Sequence, residues 1–173
     1  MAGARNSFAH RQPEAKSGEV VLAAMGISHL YRQDCAFCQM VRGELSTHLV
    51  ARDDYSLVIL DRRPVFLGHC LVIPLDHYET LSDLPDELVG PIFIRVRSVS
   101  IAVQRAMHAD GTFVAMNNKV SQSVPHLHVH VIPRKMKDGL KGFFWPRQNY
   151  ASEEQALEIE RAIRRELAAI KAS

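Results

Sequence analysis

Residues 126–132 read HLHVHVI, and this alternation limits the possible folds more than any other stretch of the chain. Side chains point to opposite faces of a β-strand in turn. His126, His128 and His130 therefore share one face, and Leu127, Val129 and Val131 share the other. The aliphatic face predicts a core contact. The imidazole face carries ring nitrogens that would all need partners if buried. Two readings stay open: a solvated polar face, common on antiparallel sheets, or a working site. A metal site built from the run alone is disfavoured. Alternate residues on a strand lie roughly 6.5–7 Å apart, whereas zinc–nitrogen bonds are only about 2 Å. A division of labour among the three rings fits better.

The rest of the chain supplies the sheet and its helices. Short runs rich in aliphatic residues predict strands over 47–54, 56–61, 69–75, 112–117 and 124–132. Val89, Ile92, Phe93, Val96, Ser100, Val103 and Met107 fall on one helical face within 86–111. Gly111 is the expected terminator, and Pro91 conflicts with a straight helix from residue 86. Ser152 and Gln155 have capping-box spacing before a last helix whose face is Ala156, Ile159, Ile163, Leu167 and Ile170. Strands gathered around one central helix, with few βαβ repeats, predict an α+β fold: an antiparallel sheet of about five strands, a central helix and a C-terminal helix.

Residues 1–33 read as an N-terminal extension, a flexible tail to about residue 16 plus a short helix over 18–31. The domain is expected over 34–150, with the C-terminal helix over 151–173. The start lacks the apolar core of a secretory signal; its acid-free, Arg-containing run to Glu14 is a weak transit-like feature. No apolar run approaches the roughly 18–20 residues of a membrane span. The net charge of +2 is no argument for nucleic acid as the main partner, and none is expected. With 3 cysteines, the chain cannot build a disulfide scaffold, so a reduced, cytoplasmic setting is expected.

HLHVHVI has the form H-φ-H-φ-H-φ-φ. The blocks CAFCQMVRGEL, VILDRRPVFLGHCLVIPLDH and NNKVSQSVPHLHVHVIPR accompany it, over about residues 34–135. On these motifs the chain resembles the histidine triad (HIT) superfamily of nucleotide hydrolases and transferases, which implies a HIT-like fold. The resemblance makes His128 the nucleophile, attacking the α-phosphorus to form a covalent nucleotidyl-histidine. It makes His130 a phosphate contact and proton donor, and His69 an additional active-site histidine. A neutral imidazole is a good nucleophile near pH 7, provided one nitrogen is unprotonated; a backbone carbonyl bonded to the other would secure this.

By the same resemblance Gln122 and Ser123 contact the phosphate and leaving group, Asp61 binds the ribose hydroxyls, and Asn117 or Asn118 supplies an amide. Turn formation is the competing reading for Asp61 and the asparagines. The family usually has Gly before that Gln; this chain has Ser121 and a shorter loop. Arg134 is either a phosphate contact or a solvated strand-end charge.

Cys35 and Cys38 have zinc-knuckle spacing, although redox motifs share it. In zinc-containing members of the superfamily the matching ligands are Cys35, Cys38, His77 and His126, a closed set and hence structural zinc. His48 competes with His77. Cys70 reads as a small buried apolar residue, and Trp145 as a core, interface or base-stacking residue. His10, His29 and His108 receive no role. The functional expectation is a hydrolase of AMP-containing purine nucleotides, working as a homodimer: dinucleoside polyphosphate, phosphoramidate or adenosine phosphosulfate. A transferase or phosphorylase with the same intermediate is the alternative, and a non-catalytic nucleotide-binding regulator is another.

Overall fold

The computed structural model describes residues 30–140 and 149–170. The expected tail, most of the 18–31 helix, His10, His29 and Trp145 lie outside the described residues. Contacts divide the chain into one unit ending at Met136 and a second beginning at Lys137.

In the first unit five strands form one antiparallel sheet. They are β1 (Leu49–Arg52), β2 (Ser56–Leu60), β3 (Cys70–Pro74), β4 (Gly111–Ala115) and β5 (Val129–Arg134), ordered β1-β2-β3-β5-β4. Helices α1 (Ala36–Val41) and α2 (Asp86–Ala106) belong to the same unit. Val58, Cys70, Val72, Leu127, Val129 and Val131 pack with Ile92, Val96, Val99 and Val103 of α2. Leu57, Ile59, Leu71 and Ile73 pack instead with Phe37, Cys38 and Met40 of α1. Central strands covered on both faces read as unbroken apolar runs, as SLVIL and CLVIP do.

Several boundaries differ from the sequence reading, those of β1 and β4 by one to two residues at each end and two others by more. The central helix ends at Ala106, not near residue 111. The chain reverses at His108, with φ 48, and Gly111 opens β4 instead of closing the helix. Pro91 lies inside α2, where the missing N–H removes the bond to the residue four back. The buried stripe runs Ile92, Val96, Val99, Val103, so Val89 and Phe93 flank it and stay 36% and 38% exposed.

The other large difference is at β5, which starts at Val129 rather than 124. The β3–β5 register would place Pro74 opposite Leu127. Pro74 has no N–H to donate, and its carbonyl accepts from His126 Nε2 at 3.1 Å. The Leu127 N–H goes to the Tyr78 carbonyl at 2.6 Å. The ladder therefore stops, and His126 and His128 stand on backbone freed from the sheet.

In the second unit, helix α3 (Glu153–Ile170) begins at a reciprocal cap. Gln155 N–H donates to Ser152 Oγ at 3.3 Å, while Gln155 Oε1 accepts from Ala151 N–H at 2.7 Å, one residue earlier than the standard box. No described helix is long and apolar enough to cross a membrane.

Candidate functional site: two histidine clusters on one strand pair

In β3 and β5, Leu71 lies opposite His130 and Cys70 opposite Val131. His69 immediately precedes β3 and His77 follows it. His130 is on β5, with His128 and His126 before it. Antiparallel pairing therefore brings His69 to His130 at one end of β3, and His77 to His126 at the other. Leu127, Val129 and Val131 face α2 as expected. The solvated-face reading fails for His126 and His128, 0% and 3% exposed, while His130 is half-buried.

At the first end, His128 Nδ1 lies 2.7 Å from the backbone carbonyl of His126. A carbonyl only accepts, so Nδ1 carries the proton and Nε2 keeps its lone pair. Burial holds the His128 pKa below the ordinary imidazole value, against the opposing pull of that carbonyl and of Asp61. The His130 pKa falls to about 4, through burial and then the neighbouring His128 and His69. Burial also lowers that of His69, with Asp61 pulling the other way. All three rings are therefore neutral near pH 7. His69 Nε2 is 3.0 Å from His130 Nδ1. His69 Nδ1 faces the Val65 N–H at 3.3 Å and Asp61 Oδ2 at 3.4 Å. The ring of Phe37 sits edge-on to both His128 and His126, with centroids at 5.1 and 5.9 Å.

The structure brings Asp61 to this end, beside His69, with Asp61 Oδ1 also capping the Arg63 N–H at 2.8 Å. The other expected substrate residues lie on the 117–123 loop. Asn117 donates to the Ser121 carbonyl at 3.3 Å, and Asn118 Oδ1 accepts from Leu81 N–H at 2.8 Å. Gln122 donates to the Glu79 carbonyl and accepts from Lys119 N–H, both at 2.7 Å, so its amide braces the loop. Ser123 is exposed and lines a cavity of about 260 Å³ with Arg32, Asp34, Cys35 and His77, beside the other cluster. Ser121 has φ 59, the left-handed region that favours glycine. Sequence reasoning missed Phe37 and the Val65 N–H. The C-A-F-C spelling was the one available signal for Phe37; a backbone donor leaves none.

At the second end, ligand atoms of Cys35, Cys38, His77 and His126 all lie within 4.8 Å of one another. Cys35 Sγ is 3.4 Å from His126 Nδ1, Cys38 Sγ 3.4 Å from His77 Nδ1 and 3.6 Å from His126 Nδ1. Tetrahedral zinc, with bonds near 2.3 Å to sulfur and 2.0 Å to nitrogen, sets such pairs about 3.5 Å apart. The donor set and its spacing therefore fit the ion. The Pro74 carbonyl holds the proton on His126 Nε2, which leaves Nδ1 free as a donor to metal. Burial pushes the Cys38 thiol up to about 11 and the His126 imidazole down to about 4. A cation held by these four residues would take the place of the Cys38 thiol proton. His48 is exposed and outside the group. Cys70 is buried, 3% exposed.

Comparison with known proteins now decides the family. The family model described as HIT domain matches residues 42–137. The chain belongs to the HIT domain family. Adenylylsulfatase HINT3 of Arabidopsis thaliana is 37% identical over 115 residues, 65% of this chain; the match spans 58% of that protein's length. Adenosine 5'-monophosphoramidase hnt1 of Schizosaccharomyces pombe is 33% identical over 122 residues, 69% of this chain and 89% of that one. A crystal structure of a zinc-bound histidine triad family protein from Mycobacterium smegmatis superposes with a TM-score of 0.60. It is 33% identical, and the match covers 79% of this chain and 97% of that one. The open five-stranded antiparallel sheet with its helices is the α+β architecture of these HIT-like neighbours.

Proposed function

We propose that this HIT domain hydrolyses nucleotides at the α-phosphate, with His128 as nucleophile. The observation that carries the reading is the 2.7 Å bond from His128 Nδ1 to the His126 carbonyl, which leaves Nε2 unprotonated. The Nε2 lone pair forms a bond to phosphorus as the bond to the leaving group breaks. Water then cleaves the nucleotidyl-His128 and returns the free imidazole. His130 stands beside the phosphate, and Asp61 serves the ribose hydroxyls. Gln122, Ser123 and Asn117 are the substrate-side residues that the family resemblance implies, although the Gln122 amide bonds Glu79 and Lys119 and Ser123 lies beside the Cys35–His77 cluster. AMP-containing purine nucleotides are the substrate class. The names of the Arabidopsis and fission-yeast relatives support it, and both fit a mechanism that exchanges only the leaving group.

Zinc is the fitting occupant of Cys35, Cys38, His77 and His126. Its chemistry there is structural, a cross-link between the α1 segment and the strand that leads to His128. Residues 34–150 form the catalytic domain in this reading, with 1–33 and 151–173 as extensions. The active form is a cytoplasmic homodimer.

The test is His128→Asn. Turnover of an adenosine phosphoramidate or adenylyl sulfate should fall by at least about a thousandfold, the scale seen when a nucleophile is removed. Labelled nucleotide trapped on the wild-type protein should be absent from the variant. Unchanged turnover overturns the reading. Product analysis with and without inorganic phosphate separates hydrolysis from transfer.

A further inference from the structure

The geometry points to His69 as the residue that decides which nitrogen of His130 carries the proton, so that His130 offers an N–H donor to the substrate's phosphate. This deepens the reading above and rests on it for its catalytic meaning.

The chain of contacts starts at a backbone group that can only donate. The Val65 N–H points at His69 Nδ1, 3.3 Å away. A nitrogen that accepts cannot also hold a proton, so the neutral His69 ring carries its proton on Nε2. His69 Nε2 lies 3.0 Å from His130 Nδ1. That contact is then His69 donating and His130 accepting. The one proton of neutral His130 is left on Nε2. His128 is set the opposite way, with the proton on Nδ1 and the lone pair on Nε2. Adjacent rings with centroids 4.9 Å apart thus present a nucleophile and a hydrogen-bond donor. That pairing suits attack on a phosphoryl group whose oxygens gain charge.

The competing direction would have His69 Nδ1–H donate to Asp61 Oδ2, 3.4 Å away. It would set that N–H against the Val65 N–H, and the whole chain would reverse. Asp61 has other partners, since Oδ1 takes the Arg63 N–H and the side chain is 23% exposed to water. The Asp61 carboxylate therefore lies beside His69 without taking its proton, and the Val65 N–H keeps Nδ1 as the acceptor. The low pKa directions of His69 and His130 keep both rings neutral near pH 7, where each has one definite tautomer.

The segment holding Val65 is itself fixed. The His69 N–H donates to the Phe66 carbonyl at 3.0 Å, and the Asp61 N–H to the His69 carbonyl at 2.9 Å. Gly68 has φ +92, and a Cβ there would lie 2.6 Å from Met107 Cγ, so the loop is pressed against the end of α2. His69 touches His130 rather than any reacting atom by this account. It is a positioning residue.

The experiment is two-bond 1H–15N correlation spectroscopy on the full-length protein with labelled histidine, at pH 7.5 and without nucleotide. His130 should show protonated Nε2. His69→Leu should convert it to the Nδ1–H form or to a mixture, and His69→Gln, whose amide can still donate, should restore Nε2–H. In turnover assays His69→Leu should lower kcat by about 10- to 100-fold with KM little changed, and His69→Gln should recover most of it. A wild-type His130 protonated on Nδ1, or a tautomer unmoved by His69→Leu, overturns the inference. If the leucine variant does not fold, the wild-type spectrum alone decides. If the spectra behave as expected but no nucleotide is turned over, the tautomer assignment stands and the proposed activity fails.

Discussion

The two ends of the β3–β5 pair use the same residue type in opposite ways. At the His77–His126 end, Nδ1 atoms converge on two thiols, and the outer nitrogen of His126 is tied to the Pro74 carbonyl. At the His69–His130 end, rings bond to backbone and to each other, which leaves an Nε2 lone pair on His128. His126 and His128 are both buried and neutral, so burial does not separate their tasks. The partner of the second ring nitrogen does. A carbonyl on Nε2 turns Nδ1 toward sulfur, whereas a carbonyl on Nδ1 leaves Nε2 to react.

The strongest way to break this contrast is to remove one sulfur. Cys38→Ser should abolish stoichiometric zinc binding, measured by elemental analysis, and lower Tm by about 10 °C or more, since a structural ion contributes several kcal/mol to folding. His128→Asn should leave zinc content and Tm nearly unchanged. If both variants lose zinc alike, the two ends are one site and the contrast fails.

Much of this division was legible in the residues. Alternation placed Leu127, Val129 and Val131 on the core face, and the runs SLVIL and CLVIP marked the covered central strands. The start of β5 was not legible, because it depends on a proline in a different strand. The tasks of Gln122 and Ser121 were hidden for a similar reason: a loop's hydrogen bonds and its φ angles depend on where Glu79 and Lys119 come to lie. Ligand chemistry could not separate His77 from His48; the family spacing favoured His77, and the structure brings His77 to the cysteines.

Acid gives a graded comparison. Burial and the neighbouring rings hold the His130 pKa at about 4 when folded, and burial holds that of His69 below its ordinary value, against about 6.5 when unfolded. The unfolded chain therefore binds more protons over this range. Their contribution is complete above pH 6.5 and is lost as pH falls from 6.5 toward 4. Urea unfolding should show stability flat from pH 7 to 8 and declining below 6.5. His130→Gln should remove up to one proton's share of that slope, about 1.4 kcal/mol per pH unit. An unchanged slope would mean that the His130 ring is not held neutral by its neighbours.

The smallest expected effect is on the loop between the two ends. Ser121→Gly relieves a left-handed backbone at φ 59. It also loosens the unfolded chain, so the net gain should be at most about 1 kcal/mol. The same variant leaves every histidine contact intact, so zinc content and the His130 tautomer should not move. A stability loss would show that the entropy Gly adds to the unfolded chain outweighs the relief of the left-handed backbone.

Pro74 acts as a stop in a zipper. A residue with an N–H at that position would permit one more rung to Leu127, and three imidazoles would then stand evenly along a pleat, roughly 6.5–7 Å apart. Without that rung the backbone turns one carbonyl inward, and two neighbouring rings of the same kind come to offer opposite nitrogens. A missing hydrogen in one strand sets where the pairing of another ends.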